Sequence, residues 1–160
     1  MVSLDFMDTT QATEELIALQ CARRYLRRGK RHLQAGRNSA GLVALYDSLL
    51  FGMRYYVTKH KQCGRIMENI DLWDATHLFH ALTQAGLFED PLFFHRFSLL
   101  VERALWQPSI SFDAKATLAE TERMLTKLGI LPFYESALPR ETAPAISNQR
   151  EGNILHWEKS

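Results

Sequence analysis

Apolar residues recur every three or four positions through most of this chain, which is the spacing of an α-helix. Runs of alternating β-branched residues, which would indicate strands, do not stand out, so the pattern predicts an all-α protein. The periodic segments predict five helices, over residues 10–35, 38–61, 72–85, 91–106 and 114–128. Because short connections join them, we expect an antiparallel bundle of four to five helices.

Residues that favour helix ends support these boundaries. Asp71, Asp90 and Asp113 precede helices three, four and five, where their carboxylates can accept hydrogen bonds from the first free amides. Ser111 is the alternative cap for helix five. A glycine follows helices one, three and five, as expected for a residue that ends a helix in the left-handed conformation. Helix two is apolar on more than one side, which is typical of a central helix.

The helical pattern stops after Pro132. Residues 135–153 contain two prolines and many polar residues without periodicity, which is typical of a poorly ordered segment. A length of 160 residues suits one domain. We therefore expect one helical bundle over residues 1–132 and a mostly irregular tail over residues 133–160.

The composition is that of an ordinary soluble chain, with 46% hydrophobic and 23% charged residues. No apolar run approaches the roughly 20 residues that a membrane span requires, and the N-terminus lacks a signal-peptide pattern. The two cysteines stand in no metal-binding or redox spacing. These observations predict a cytoplasmic protein that makes no membrane contact and holds no cofactor.

The charge distribution is more informative than the net charge of +1. Residues 16–65 carry eleven Lys or Arg and one acid, whereas the rest of the chain is net acidic. Within this region, six cations of helix one fall in an arc of about 160°: Arg23, Arg24, Arg27, Arg28, Lys30 and Arg31. We expect this arc to face water and to receive RNA, a nucleotide or an acidic protein partner. A plain solvated helix face is the alternative.

The order and spacing of the helices resemble those of HEPN-type domains, which are small helical bundles often found beside minimal nucleotidyltransferases. The resemblance lies in the basic first helix and in four later segments: SAGLVALYDSLLFGMRYYV, DLWDATHLFHALTQAGL, FFHRFSLLVERAL and ATLAETERMLTKLG. It covers about residues 14–128. It implies an HEPN-like bundle that binds a nucleotidyltransferase-like protein, RNA or a nucleotide.

Active members of that family cleave RNA without metal, using an Arg followed after four to six residues by a His. Arg54 and His60 fit this spacing. A His can deprotonate the 2′-hydroxyl, and an Arg can stabilise charge on the phosphate. The two positions lie about 120° apart on a regular helix, so they would converge only in a frayed helix or across two copies.

Many members lack the motif and act by binding. We therefore expect a non-catalytic accessory module that uses the basic face of helix one, with a ribonuclease as the alternative. The chain contains no Gly-rich phosphate loop, nucleophile elbow or HExxH motif, which also favours binding.

Histidines on helices three and four suggest a third hypothesis. His77, His80 and His95 could form a mononuclear zinc or nickel site between facing helices. A dinuclear site would require two acid-x-x-His pairs, and the sequence offers only Asp74 with His77. The alternative is that these histidines border an aromatic core.

Helices two and four carry more apolar surface than a small bundle needs to bury, and this favours a homodimer.

Overall fold

A computed structural model describes residues 2–61, 71–134, 136 and 138, with the side chains of 12–60 and of the described positions from 71 onward. It contains five helices in these ranges: α1 Val2–Gln34, α2 Asn38–Lys61, α3 Ala75–Gln84, α4 Phe93–Trp106 and α5 Ala114–Lys127. The described residues form no strand, so the prediction of an all-α protein is confirmed.

The first two helices form an antiparallel pair in which the backbones approach closely. A Cβ atom added at Gly29 of α1 would lie 2.9 Å from Cδ2 of Leu45 and 3.3 Å from the carbonyl oxygen of Gly41. One end of the pair is closed at Gly36, which has a φ of 76°. Further along, the Ser48 hydroxyl donates a 2.7 Å hydrogen bond to the carbonyl oxygen of Ala22. Small residues therefore set the distance between the two helices.

α2 is the central element and contacts each of the other four helices. Its side chains Leu42, Leu45, Leu49 and Met53 are fully buried. This burial explains why its sequence is apolar on several sides.

Each of the three later helices contributes its own contact with α2. On α4, the carbonyl oxygen of Ala104 accepts a 2.7 Å hydrogen bond from the Ser39 hydroxyl. On α5, Leu125 and Leu128 lie close to Gly52. α3 also contacts α2, and it adds a phenylalanine to an aromatic cluster with α4, in which the Phe79 and Phe94 ring centroids are 5.2 Å apart. The core is therefore built around α2.

α3 begins three residues later than the sequence predicts. Asp71, the expected cap, accepts a 2.9 Å hydrogen bond from the backbone N–H of Trp73 and so forms a short turn before the helix. The N-cap is Asp74, whose carboxylate accepts from the backbone N–H of His77 at 3.1 Å. The chain therefore makes one extra turn that places Trp73 at the surface.

α4 differs from its prediction in the same way. Asp90 accepts a 2.9 Å hydrogen bond from the backbone N–H of Leu92 and pairs with the Arg96 guanidinium. The helix starts at Phe93, and Leu92 supplies no side-chain cap. An aspartate before a helix can thus form a turn instead of a cap.

The remaining helix boundaries agree with the sequence prediction only in part. α2 covers its predicted range, and α5 follows Asp113 as predicted, with its carboxylate accepting from the backbone N–H of Ala116 at 3.0 Å. α1 begins at Val2, well before the predicted start at residue 10. Most of the predicted irregular tail, residues 133–160, lies outside the described residues. No helix within the described ranges is long and apolar enough to cross a membrane.

Substituting Gly29 by Ala tests the close approach of α1 and α2. Ala normally stabilises a helix interior by up to about 1 kcal/mol relative to Gly. Here the new methyl group would press against the fully buried Leu45, so we expect a net loss of about 1–3 kcal/mol. Denaturant unfolding measures this difference.

Substituting Leu45 by Val in the Gly29→Ala protein makes room for the new methyl group. The two substitutions together should therefore cost less than the sum of their separate effects. A Gly29→Ala protein that is more stable than the parent would contradict the described packing.

Candidate anion-binding site

The six cations of helix one do not share one solvated face. Arg27 is only 9% exposed, so the expectation that it faces water is wrong. Arg23 donates from Nε to the carbonyl oxygen of Ile130 at 3.0 Å and lies 5.2 Å from the ring centroid of Phe133. Lys30 pairs with Glu122 of α5 at 3.0 Å. This half of the arc serves contacts within the fold.

The other half, Arg24, Arg28 and Arg31, lies on the opposite side of the arc. These residues are spaced by four and three positions, which places them along one line of the helix. Arg31 is exposed, and the other two are partly exposed. The solvent-facing part of the predicted site is therefore about half as large as the sequence indicates.

Beside Arg28, two cations and three aromatic rings pack in a row across three segments. We call this arrangement the cation–aromatic row (Arg28, Tyr25, Phe51, Arg54 and Trp73). The Arg28 guanidinium carbon is 5.5 Å from the Tyr25 ring centroid. Tyr25 stacks on Phe51 of α2 with centroids 5.6 Å apart. Arg54 lies 5.1 Å from the Phe51 ring centroid and 3.9 Å from the Trp73 ring centroid. Such distances are within the range of attractive cation–π contacts.

The row joins the basic side of α1 to a cation of α2. Trp73 stands at the end of the row with 78% of its surface exposed. Burial lowers the pKa of the Arg54 guanidinium from its ordinary value, although the charges of Cys21 and Glu14 oppose this change. Guanidinium groups held against aromatic faces lose little freedom when they bind a phosphate or carboxylate. This row is the best-organised cationic surface that the described residues form.

Asp47 of α2 interacts electrostatically with Arg28 of the row. Burial raises the pKa of its carboxyl group to about 6, against the opposing attraction of the Arg28 guanidinium. A carboxyl group with this pKa is largely ionised at neutral pH and partly protonated in mild acid. The negative charge beside Arg28 therefore decreases in mild acid.

Arg54 and His60, the residues expected for ribonuclease chemistry, are not brought together within one chain. α2 is a continuous helix across both positions, so they point about 120° apart. Arg54 belongs to the row, whereas the His60 ring lies 4.0 Å from the Tyr56 ring, centroid to centroid. The two side chains therefore pack against different rings, and their use as a catalytic pair stays a prediction.

The candidate metal ligands are only partly assembled. His80 and His95 line a cavity of about 170 Å³ between α3 and α4, together with Thr76, Thr83 and Ser98. His77 does not line this cavity, and no group of three or more potential metal ligands occurs among the described residues. The structure thus places two of the three histidines together.

Sequence reasoning missed Phe51 and Trp73. Phe51 was one apolar residue among many in α2, and no local signal separates a ring that lies between Tyr25 and Arg54 from a ring in the core. Trp73 depends on the extra turn at Asp71. The one signal for Trp73 in the sequence was the position of a tryptophan close to the predicted start of helix three.

We expect stability to show the pH dependence of Asp47. Its pKa is raised in the folded state, so its stabilising contribution is complete below the unfolded pKa of about 3.9 and is lost as the pH rises through about 6. Asn mimics the neutral acid at every pH. The gain from Asp47→Asn should therefore be larger at about pH 7.5 than at about pH 4.5, by about 2 kcal/mol.

Denaturant unfolding of both proteins at the two pH values measures this difference. A substitution effect that is the same at both pH values, or larger in acid, would contradict the burial of this carboxyl group.

The HEPN-like assignment rests on the sequence resemblance alone. The cation–aromatic row and the basic side of α1 are features of this chain's own residues and do not depend on that resemblance. The chain matches no protein-family model, no curated protein and no solved structure.

Proposed function

We propose that the protein is a non-catalytic, HEPN-like helical binding module that receives a phosphate-bearing ligand, RNA or a nucleotide, on the outer side of α1. Arg24, Arg28 and Arg31 supply the first contacts, and Arg54 extends the surface onto α2. The observation that supports this proposal is the cation–aromatic row, which orders Arg28 and Arg54 against rings on one surface. An acidic protein partner is the alternative that the experiment below would reveal.

Phosphate suits this surface for two reasons. Guanidinium groups offer paired N–H donors that match phosphate oxygens in geometry. Several cations along one helix line also match the regular charge spacing of a nucleic acid backbone, and their binding releases counterions. The affinity should therefore fall steeply as salt is added.

Binding is favoured over catalysis because the candidate catalytic pair is separated. Metal-independent cleavage requires a base within hydrogen-bond reach of the 2′-hydroxyl while a cation contacts the same phosphate. His60 packs on Tyr56, and Arg54 packs on Phe51 and Trp73. Both side chains therefore have structural roles.

Neutralising the basic side of α1 tests the binding proposal. The double substitution Arg24→Gln with Arg31→Gln removes two charges and leaves the cation–aromatic row intact. We expect it to weaken binding of a fluorescent single-stranded RNA about tenfold or more at about 50 mM salt. The slope of log K against log salt should become shallower by about 1.4, or about 0.7 for each lost phosphate contact.

A matched control removes the same charge elsewhere. Lys115 and Arg123 of α5 are both exposed, so Lys115→Gln with Arg123→Gln changes the net charge equally. This control should bind RNA like the parent. Equal losses of RNA affinity in the two variants would indicate non-specific electrostatic attraction. If the parent does not bind RNA but binds an acidic protein, the acidic-partner alternative is supported.

We further expect the purified protein to leave a labelled RNA intact during long incubation. His60→Ala should behave like the parent, because His60 and Arg54 pack against different rings. Gel analysis of the RNA measures this. Cleavage by the parent that His60→Ala abolishes would overturn the non-catalytic assignment.

A further inference from the structure

α4 carries large apolar side chains on the side that faces away from the core. Leu92, Leu99 and Trp106 are 59%, 47% and 82% exposed. They follow one another at intervals of seven residues, so they form one line along the whole helix, and we call this line the α4 stripe. The opposite side of α4 is buried and includes Phe97 and Val101.

Ionisable residues line both edges of the α4 stripe, a histidine and a glutamate on one edge and two arginines on the other. His95 and Glu102 lie about 40–60° to one side of Leu99, and Arg96 and Arg103 lie about 40–60° to the other. All four residues are exposed. Arg96 pairs with Asp90 of its own chain, which leaves Arg103 as the cation of that edge for which no ion pair is described.

We propose that the α4 stripe is a two-fold interface with a second copy of this chain, in which the two α4 helices run parallel. A two-fold axis along the helices brings Leu99 against the partner's Leu99 and Trp106 against the partner's Trp106. It also sets the edge with Glu102 against the partner's edge with Arg103, at nearly the same level. The face is thus complementary to itself, as a symmetric interface requires.

The charges select the parallel arrangement. If the helices ran antiparallel, like edges would meet. Arg96 would then face the partner's Arg103, and Glu102 would face the partner's His95, an imidazole in place of a guanidinium. In the parallel arrangement the interface contains two Glu102–Arg103 pairs of opposite charge around a line of apolar side chains spaced by seven residues. Arg96 faces the partner's His95 and retains Asp90 as its own ion-pair partner. Of the two helices expected to supply dimer contacts, α2 uses most of its apolar surface within the fold, whereas α4 leaves Leu99, Leu105 and Trp106 exposed.

Sedimentation equilibrium of the full chain tests the interface directly. We expect the parent to have twice the monomer mass at micromolar concentration. Leu99→Glu should shift it to the monomer mass, because a charge at the centre of the stripe loses its water on association. Ile17→Glu is the matched control, since Ile17 is a half-exposed apolar helix residue of α1, and it should remain dimeric.

Circular dichroism of each variant shows whether the helices persist. A parent that is monomeric at all concentrations, or a Leu99→Glu protein that remains dimeric, would overturn the proposal. A monomeric parent would indicate that the stripe is covered by something other than a second copy.

Charge reversal tests the orientation of the two helices. Arg103→Glu should weaken dimerisation about tenfold or more, because Glu102 then faces a carboxylate of the second copy instead of a guanidinium. Combining Glu102→Arg with Arg103→Glu restores opposite charges across the two-fold axis and should bring the dissociation constant back to within about threefold of the parent. Tighter association of Arg103→Glu would contradict the parallel arrangement, since relief of Arg–Arg repulsion is the antiparallel expectation.

Discussion

The burial of α2 against every other helix is the contact on which the described structure depends. Its leucines and Met53 fill the centre of the bundle, and its small residues let α1 approach closely. Close packing on so many sides leaves each neighbour little freedom to shift, because interiors are packed to crystal-like density. The register between α1 and α2 then decides which side chains meet at the surface, and the stack of Tyr25 on Phe51 is one result.

The basic stretch of α1 illustrates how one run of charge can serve two purposes. On one side, Arg23 and Lys30 bind a carbonyl oxygen and a carboxylate of the segments that pack beside them. A partly exposed ion pair such as Lys30–Glu122 contributes only about 0–1 kcal/mol, so it orients the chain more than it stabilises it. On the other side, Arg28 joins the cation–aromatic row, where two rings hold cations in place on the surface.

The two proposed surfaces use different helices and different physics. The row offers ordered positive charge for a phosphate-bearing ligand, and its binding should weaken with salt. The α4 stripe offers apolar area bordered by opposite charges, and its association should depend mainly on Leu99 and Trp106. If both surfaces are used, a dimer would present two rows, and a ligand long enough to reach both would bind more tightly than one row allows.

The sequence by itself determined the helices, because the apolar period of about 3.6 residues and the glycines after helix ends are local signals. It also indicated that α2 is central and that Asp113 caps α5. Only the tertiary structure decided which cations face water: Arg27 is buried and Arg23 is bound to Ile130, since other segments pack on that side of α1. The row likewise joins residues that are distant in the chain, such as Tyr25 and Phe51. Their meeting depends on the α1–α2 register, which no short stretch of sequence specifies.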